Sequence, residues 1–478
     1  MANAARAHNH ATGFGELDVI RLAGRHVVVL GLGETGVSTA KWAHAHGAKV
    51  TVVDTRSAPP GLVSLRAALP GCEIRLGGFS TDVLAAADLI AISPGIALSE
   101  PAVAGAISSG VPVIGDVELF ARATKGCASK IIAITGTNGK STVTALVGAM
   151  CKRASLDTEV AGNIGPAILD ALARRESAGA MPEAWVLELS SFQLEATSSL
   201  APDAAAVLNV TEDHLDRYES IEPYAAAKSR ILEHARVQVL NRDDPRTLAM
   251  SRFGRDSITF GLGIAERDTD FGLVRVSGDI WLARGTTPLM RIVDMQIAGL
   301  HNAANALAAL AIARAIGLAL APSLAALQDF RGLPHRVELV REDGGVRWYD
   351  DSKGTNVGST VAALSGLAID DSKVVLIAGG DGKSQDFTPL KAAVTAAARC
   401  VVLIGRDAPE IERAIDGSGV DIRYATTMDE AVAIASVEAK AGDAVLLSPA
   451  CASFDMYRDY LHRAEVFRSA VQRIQRGR

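Results

Sequence analysis

The chain has 478 residues, 49% of them hydrophobic, and a formal net charge of −6. That length is a soft guide to about three domains, each with apolar residues enough for its own core, and the absence of a basic tract argues against nucleic-acid binding. Five scattered cysteines, Cys72, Cys127, Cys151, Cys400 and Cys451, with no Cys-x-x-Cys or Cys/His cluster, argue against a disulfide framework or a structural zinc and for a reducing compartment.

The N-terminal "MANAARAHNHATGFGELD" lacks the apolar core of a signal peptide. The first apolar run, "HVVVL" (His26–Leu30), leads into "GLGETG" (Gly31–Gly36) and a helical pattern, and Asp54 ends the next run, "VTVVD", eighteen residues past Gly36. Strand, glycine turn, helix and distant acid are the dinucleotide fingerprint. Its physical content is narrower: backbone N–H groups approach a diphosphate at a helix N-terminus, and an acid reaches a ribose. On this motif alone a nicotinamide enzyme leads.

After "DLIAI" (Asp88–Ile92), the strand–glycine–helix pattern restarts at "KIIAI" (Lys130–Ile134) with "TGTNGKST". A generic phosphate loop has a glycine five positions before its second glycine; here that position is Ile134. The rest is present: Gly136 and Gly139 permit a tight loop, Lys140 reaches terminal phosphates, and Ser141 offers a hydroxyl to Mg²⁺. Such a loop needs a carboxylate from a neighbouring strand. "WVLELSSFQLE" supplies Glu188 inside an apolar run, where an unpaired charge is costly unless it meets a metal. "LNVTEDHLDRY" supplies His214 just past another run (Ala204–Val210), where a histidine is a better ligand candidate than in a core. Lys228, in "YAAAKSRI", reads from its residues alone as a solvated helix lysine.

The stretch 258–292 breaks the rhythm and predicts short strands and loops. The alanine-rich stretch from Ala303 to Ala321 carries Arg314 near its middle and predicts a helix packed on a sheet, not a membrane span. A further set of strands follows "GLPHRVE", including "KVVLIAGG", "CVVLIG" and "DAVLLS". Short Val/Ile/Leu runs alternating with helices predict α/β architecture throughout, with parallel sheets. The expected domains are 1–117, 118–332 and 333–478. Together these features predict a cytoplasmic protein with no membrane span.

In order along the chain, "GTNGKST", "AGNIG" (Ala161–Gly165), "NVTEDHLDRY", "YAAAKSRI", "GLHNAANALAA" (Gly299–Ala309) and "LPHRVE" resemble the motifs of the ATP-dependent Mur ligases. "ELSSFQLE", "DDSKGTNVGST" (Asp350–Thr360), "GGDGKSQDF" (Gly379–Phe387) and "LLSPACASFDMY" (Leu446–Tyr457) resemble the member of that family that adds D-glutamate. The resemblance implies three domains: a Rossmann-like one holding a uridine diphosphate, a central P-loop ATPase with a mostly parallel sheet, and a Rossmann-like one that closes over the site. It implies an amide ligase that joins UDP-N-acetylmuramoyl-L-alanine to D-glutamate at the expense of ATP, as a monomer in the cytoplasm, with two Mg²⁺ ions.

Residue by residue, it implies that Gly31, Leu32, Gly33, Glu34, Thr35 and Gly36, with Asp54, Thr55, Arg56, Ser93, Pro94 and Gly95, hold the uridine nucleotide, and that Asn163 lies by the muramoyl-alanine end. Gly136, Thr137, Asn138, Gly139, Lys140, Ser141 and Thr142 would hold ATP, with Asn302 and Asn305 at the adenine and Arg336 and Asp351 on the γ-phosphate side and ribose. Ser141, Glu188, His214 and a carbamylated Lys228 would hold magnesium, and Lys140, His214 and Lys228 would be the catalytic set. Lys353, Thr355, Lys383, Ser453 and Phe454 would bind D-glutamate. Alternatives are another Mur-type or folylpolyglutamate-type ligase, a nicotinamide oxidoreductase, and a non-catalytic ATP-binding regulator.

Overall fold

The computed structural model describes residues 21–214, 217–297, 299–368 and 372–474, so the N-terminal extension lies outside the described residues. One compact unit comprises the described residues up to Ala128 with Leu172–Arg174 and Ala196–Leu200; the rest of the chain forms a second. The first unit is built on β1 (His26–Leu30), β2 (Lys49–Asp54), β3 (Glu73–Leu76), β4 (Leu89–Ile92) and β5 (Val113–Ile114), in the order β3-β2-β1-β4-β5 and parallel throughout. Strand order reverses between β1 and β4, and in such sheets the crevice beyond the strand carboxyl ends at that point is where ligands sit.

The second unit holds two sheets. One contains β6 (Lys130–Thr135), β7 (Thr158–Gly162), β8 (Ala184–Glu188), β9 (Ala204–Val207), β10 (Val237–Asn241), β11 (Asp256–Phe260), β12 (Phe271–Val276), β13 (Asp279–Arg284) and β14 (Thr287–Arg291), in the order β14-β13-β12-β11-β10-β9-β6-β8-β7. Pairing is parallel from β7 across to β12 and antiparallel from β12 to β14. The broken rhythm at 258–292 is that change: a parallel sheet buried on both faces gives way to a partly exposed antiparallel meander. The other sheet contains β15 (Glu338–Asp343), β16 (Val346–Asp350), β17 (Val374–Ala378), β18 (Ala398–Leu403), β19 (Asp421–Tyr424) and β20 (Ala444–Leu447), in the order β15-β16-β20-β17-β18-β19. Only β15, at its edge, runs antiparallel.

The alanine-rich stretch forms the Leu300–Ala315 helix. Ala303, Ala306, Leu307 and Leu310 are buried in one core with Val143, Leu146 and Met150 of the Lys140–Arg153 helix and with β6, while Arg314 reaches solvent. Among the described residues no helix is long and apolar enough to cross a membrane.

Candidate active site

Ile134 lies inside β6, fully buried, opposite Glu188 of β8 and Ala206 of β9. The strand therefore runs on through the position where a generic phosphate loop already turns, and the turn begins at Gly136. Gly139 caps the Lys140–Arg153 helix with φ +83°, and a Cβ there would strike the Asn305 amide oxygen. Only glycine suits that corner. The helix N-terminus behind it presents free N–H groups and a positive dipole end to an anion. Lys140 Nζ folds back on its own loop, donating to the Gly136 and Thr137 carbonyls at 2.9 and 2.8 Å. Burial lowers its pKa and Arg336 adds to the fall, while Glu188 and Asp213 oppose it.

Glu188 ends β8 with its side chain buried, at 1% exposure. Asn163 Nδ2 donates to Oε1 at 2.7 Å, and Oε2 has no hydrogen-bond partner among the described residues. A buried carboxylate oxygen without a partner is costly, and a cation is the partner its chemistry invites. Lys228 is not the solvated lysine that its local sequence suggests. It is 1% exposed, its Nζ donates to the Gly136 carbonyl at 2.8 Å, and it lies 4.4 Å from the centre of the Tyr224 ring. Burial drives its pKa well below the ordinary lysine value; the Lys140 charge adds to this, and Asp213 and Glu188 oppose it. His214 sits in the left-handed region at φ +58°, with its ring against Phe192 and Nε2 3.8 Å from Asp213 Oδ2. Strain of this kind is held where surrounding structure over-determines the residue, as at functional sites. Glu188 Oε2 is thus an oxygen of the kind that a hard divalent cation takes as a ligand.

One cleft wall gathers Asn138, Gly139, Thr142, Asn302, Asn305, Arg336 and Asp351. Asn305 Nδ2 donates to Asn302 Oδ1 at 3.2 Å, so the two lie on one helix face. Arg336 Nη2 donates to Ser141 Oγ at 2.9 Å, linking the third sheet's entry segment to the phosphate loop. Both neighbours of Arg336 are left-handed, His335 at φ +62° and Val337 at φ +48°. His335 is pinned by its ring to Asp350 at 2.7 Å and by its N–H to Glu338 at 3.0 Å, which fixes that arrangement. Asp351 accepts from Ser448 Oγ at 2.7 Å. Burial pushes its carboxyl up to about 7, against the lowering effects of Ser448 and Arg336.

Lys353 and Thr355 follow β16, Lys383 follows β17, and Ser453 and Phe454 follow β20, so three neighbouring strands deliver them from their carboxyl ends. Asp381 and Ala452 exchange backbone bonds at 3.0 and 2.8 Å, which joins the Lys383 and Ser453 loops. Lys383 is exposed and left-handed, at φ +50°. Ser453 is buried, Phe454 is 69% exposed, and Lys353 Nζ lies 3.9 Å from the Tyr460 ring centre.

In the first unit, Gly31–Gly36, Asp54–Arg56 and Ser93–Gly95 stand beyond the carboxyl ends of β1, β2 and β4. A Cβ on Gly36 would overlap the Gly31 carbonyl, so that glycine serves close packing. Asp54 is buried and has all four acceptor positions in use: Oδ2 takes Leu32 N–H and Arg56 Nη2, and Oδ1 takes the Arg56 N–H and Nε. These bonds, above all those from the Arg56 side chain, lower its pKa to about 2. Asp54 therefore braces the glycine loop, and a ligand hydroxyl would have to displace Arg56.

Asp213, Tyr224, Asn209 and Asn356 join the site without standing out in the sequence. Asn209 Oδ1 accepts from the Asn138 N–H at 2.8 Å, Tyr224 OH meets Thr137 Oγ1 at 3.2 Å, and Asp213 and Asn356 meet at 3.1 Å. All lie within motifs already singled out, but no local spacing distinguishes them from their neighbours.

Family models match three successive stretches of the chain: "Mur ligase MurD-like, N-terminal domain" over residues 25–115, "Mur ligase middle domain" over 134–313 and "Mur ligase, glutamate ligase domain" over 335–451. The UDP-N-acetylmuramoylalanine–D-glutamate ligase of Nitrosospira multiformis is 56% identical over 464 residues, 96% of this chain and 98% of that one. Its counterpart from Nitrosomonas europaea is 55% identical over 460 residues, covering 95% and 97%. Among solved structures, the UDP-N-acetylmuramate–alanine ligase of Thermotoga maritima shares the fold at a TM-score of 0.58 and 21% identity, covering 94% of this chain and 99% of that one. MurF from Acinetobacter baumannii does so at 0.60 and 17%, covering 94% and 93%. A phosphate loop whose turn begins two residues late, and near-complete relatives at more than half identity, agree with the family models: the chain belongs to the Mur ligase family.

Proposed function

We propose that the chain is an ATP-dependent amide ligase that adds D-glutamate to UDP-N-acetylmuramoyl-L-alanine through an acyl phosphate, a cytoplasmic step in peptidoglycan precursor synthesis. One observation carries the reading of the site: Arg336 holds the Ser141 hydroxyl while Glu188 keeps a buried, unpartnered oxygen in the field of Lys140 and Lys228. The activity of the close relatives supplies the substrates.

A carboxylate is a poor electrophile, and phosphorylation makes it one that an amine can attack. Lys140 is placed to swing from its own loop carbonyls onto β- and γ-phosphate oxygens, and the loop N–H groups to cradle them. Ser141, Glu188, His214 and Lys228 would hold two magnesium ions. Bound there, magnesium neutralises phosphoryl charge and orients the reacting oxygens. Lys228, with its depressed pKa, is a nucleophilic amine that carbon dioxide can carbamylate, converting a buried lysine to an anionic ligand. Asn163 orients Glu188 through Oε1 and leaves Oε2 to the cation. Asn302 and Asn305 present amides to the adenine, and Lys353, Thr355, Lys383, Ser453 and Phe454 form the amino-acid pocket. The glycine loop at Gly31 and the turns at Asp54 and Ser93 receive the uridine diphosphate. We place the domain joins near residues 117 and 332.

Phosphate release with UDP-N-acetylmuramoyl-L-alanine and ATP, testing amino acids in turn, checks this. D-glutamate is the expected co-substrate; clear preference for L-lysine, diaminopimelate or L-glutamate refutes it. Ligation that survives Lys140→Ala in a folded protein would remove the phosphate-loop role.

A further inference from the structure

Asn356 is 6% exposed and caps the Val357–Leu367 helix, its Oδ1 accepting from the Ser359 N–H at 2.9 Å. Its amide does more than cap. Asn138 Nδ2, from the phosphate loop, donates to the same Oδ1 at 3.3 Å. In return Asn356 Nδ2 donates to Asn138 Oδ1 at 3.2 Å and to Asp213 Oδ2 at 3.1 Å. Both donors and both acceptors are used, and only a primary amide offers two of each. Aspartate would set a carboxylate against Asp213, and serine would reach the cap alone.

The next residue continues the chain of bonds. Val357 N–H donates to Gln385 Oε1 at 3.2 Å, and Gln385 Nε2 donates to the Gly382 and Ala450 carbonyls at 2.9 and 3.4 Å. Gly382 precedes Lys383, and Ala450 lies in the loop that carries Ser453. A run of hydrogen bonds therefore leads from the nucleotide loop, through one helix N-terminus, to both loops assigned above to the amino acid.

We infer that Asn356 is a positioning residue that couples the nucleotide loop to the amino-acid-binding loops, with Gln385 as the relay. Asn138 lies one residue from the Gly139 cap of the phosphate-loop helix, so filling the loop fixes its side chain, and through Asn356 and Gln385 it fixes the loops of Lys383 and Ser453. Binding at the two places is then reciprocal, each ligand raising the affinity of the other by the same factor. The inference rests on D-glutamate being the co-substrate.

The test is equilibrium binding of a non-hydrolysable ATP analogue with and without saturating D-glutamate, UDP-N-acetylmuramoyl-L-alanine being present, in wild type, Asn356→Ser and Gln385→Ala. Serine remains a good helix cap, so Asn356→Ser is expected to stay folded, with a melting temperature lowered only slightly by the bonds lost to Asn138 and Asp213; Gln385→Ala breaks the other end of the relay without touching a cap. Wild type is expected to bind the analogue on the order of tenfold more tightly with D-glutamate, and both variants are expected to lose that factor and to raise KM for D-glutamate more than they lower kcat. Undiminished coupling in both variants, or no coupling in wild type, overturns the inference. Wild-type turnover with D-glutamate, run alongside, tests the proposed function separately.

Discussion

Lys228 shows how far a residue's neighbourhood can depart from its local sequence. A lysine on a short helix between small residues reads as solvated, yet it is buried under the phosphate loop with its ammonium form disfavoured. A buried charge without a matched partner adds little to stability. Lys228→Met is therefore expected to leave the melting temperature unchanged or raise it, while ligation falls by more than about 100-fold. Labelled bicarbonate is expected to place its carbon on Lys228 of the wild-type protein, seen by NMR. Asp351 gives a pH dependence. Burial raises its folded carboxyl to about 7 from the ordinary 3.8, so the folded state holds a proton that the unfolded chain releases. Its contribution to stability is complete below about pH 4 and is lost as the pH rises through 7. Asp351→Asn is expected to stabilise the protein more at pH 8 than at pH 5, as read by thermal melts in the two buffers; an equal shift at both would refute the assignment.

At the scale of elements, the phosphate loop answers its own irregularity. Ile134 takes the place of the generic glycine because β6 continues through it and buries it between β8 and β9. Restoring the generic pattern with Ile134→Gly removes a core side chain and loosens a strand. It is expected to cost about 3–5 kcal/mol of stability, measured by urea unfolding, with no gain in ATP affinity. Strands announced by apolar runs, such as β1, β6 and β17, were legible in the sequence because burial on both faces leaves polar residues only at their ends. Half-exposed edge strands such as β3 and β19 were not, since their alternating burial differs little from that of a loop.

Across the whole second unit, one contact that joins its two sheets at the chemistry, beside those of Asn356, is Arg336 on Ser141. One side chain carries it, and the hydrophobic cores on either side do not depend on that side chain. Arg336→Ala is expected to lower kcat on the order of 100-fold with little change in the urea midpoint; comparable catalytic efficiency in the two proteins would refute a role in the reaction. Sequence by itself determined the α/β class, the phosphate loop, the Glu188 and His214 candidates and the family, because each rests on residues close together in the chain whose spacing has a local physical cause. Tertiary structure alone decided that Lys228 is buried, that Asp54 is consumed in bracing its loop, and that Asn138 meets Asn356. The last two residues are 218 positions apart, and burial and hydrogen-bond partnership depend on what the fold brings alongside, which no local pattern encodes.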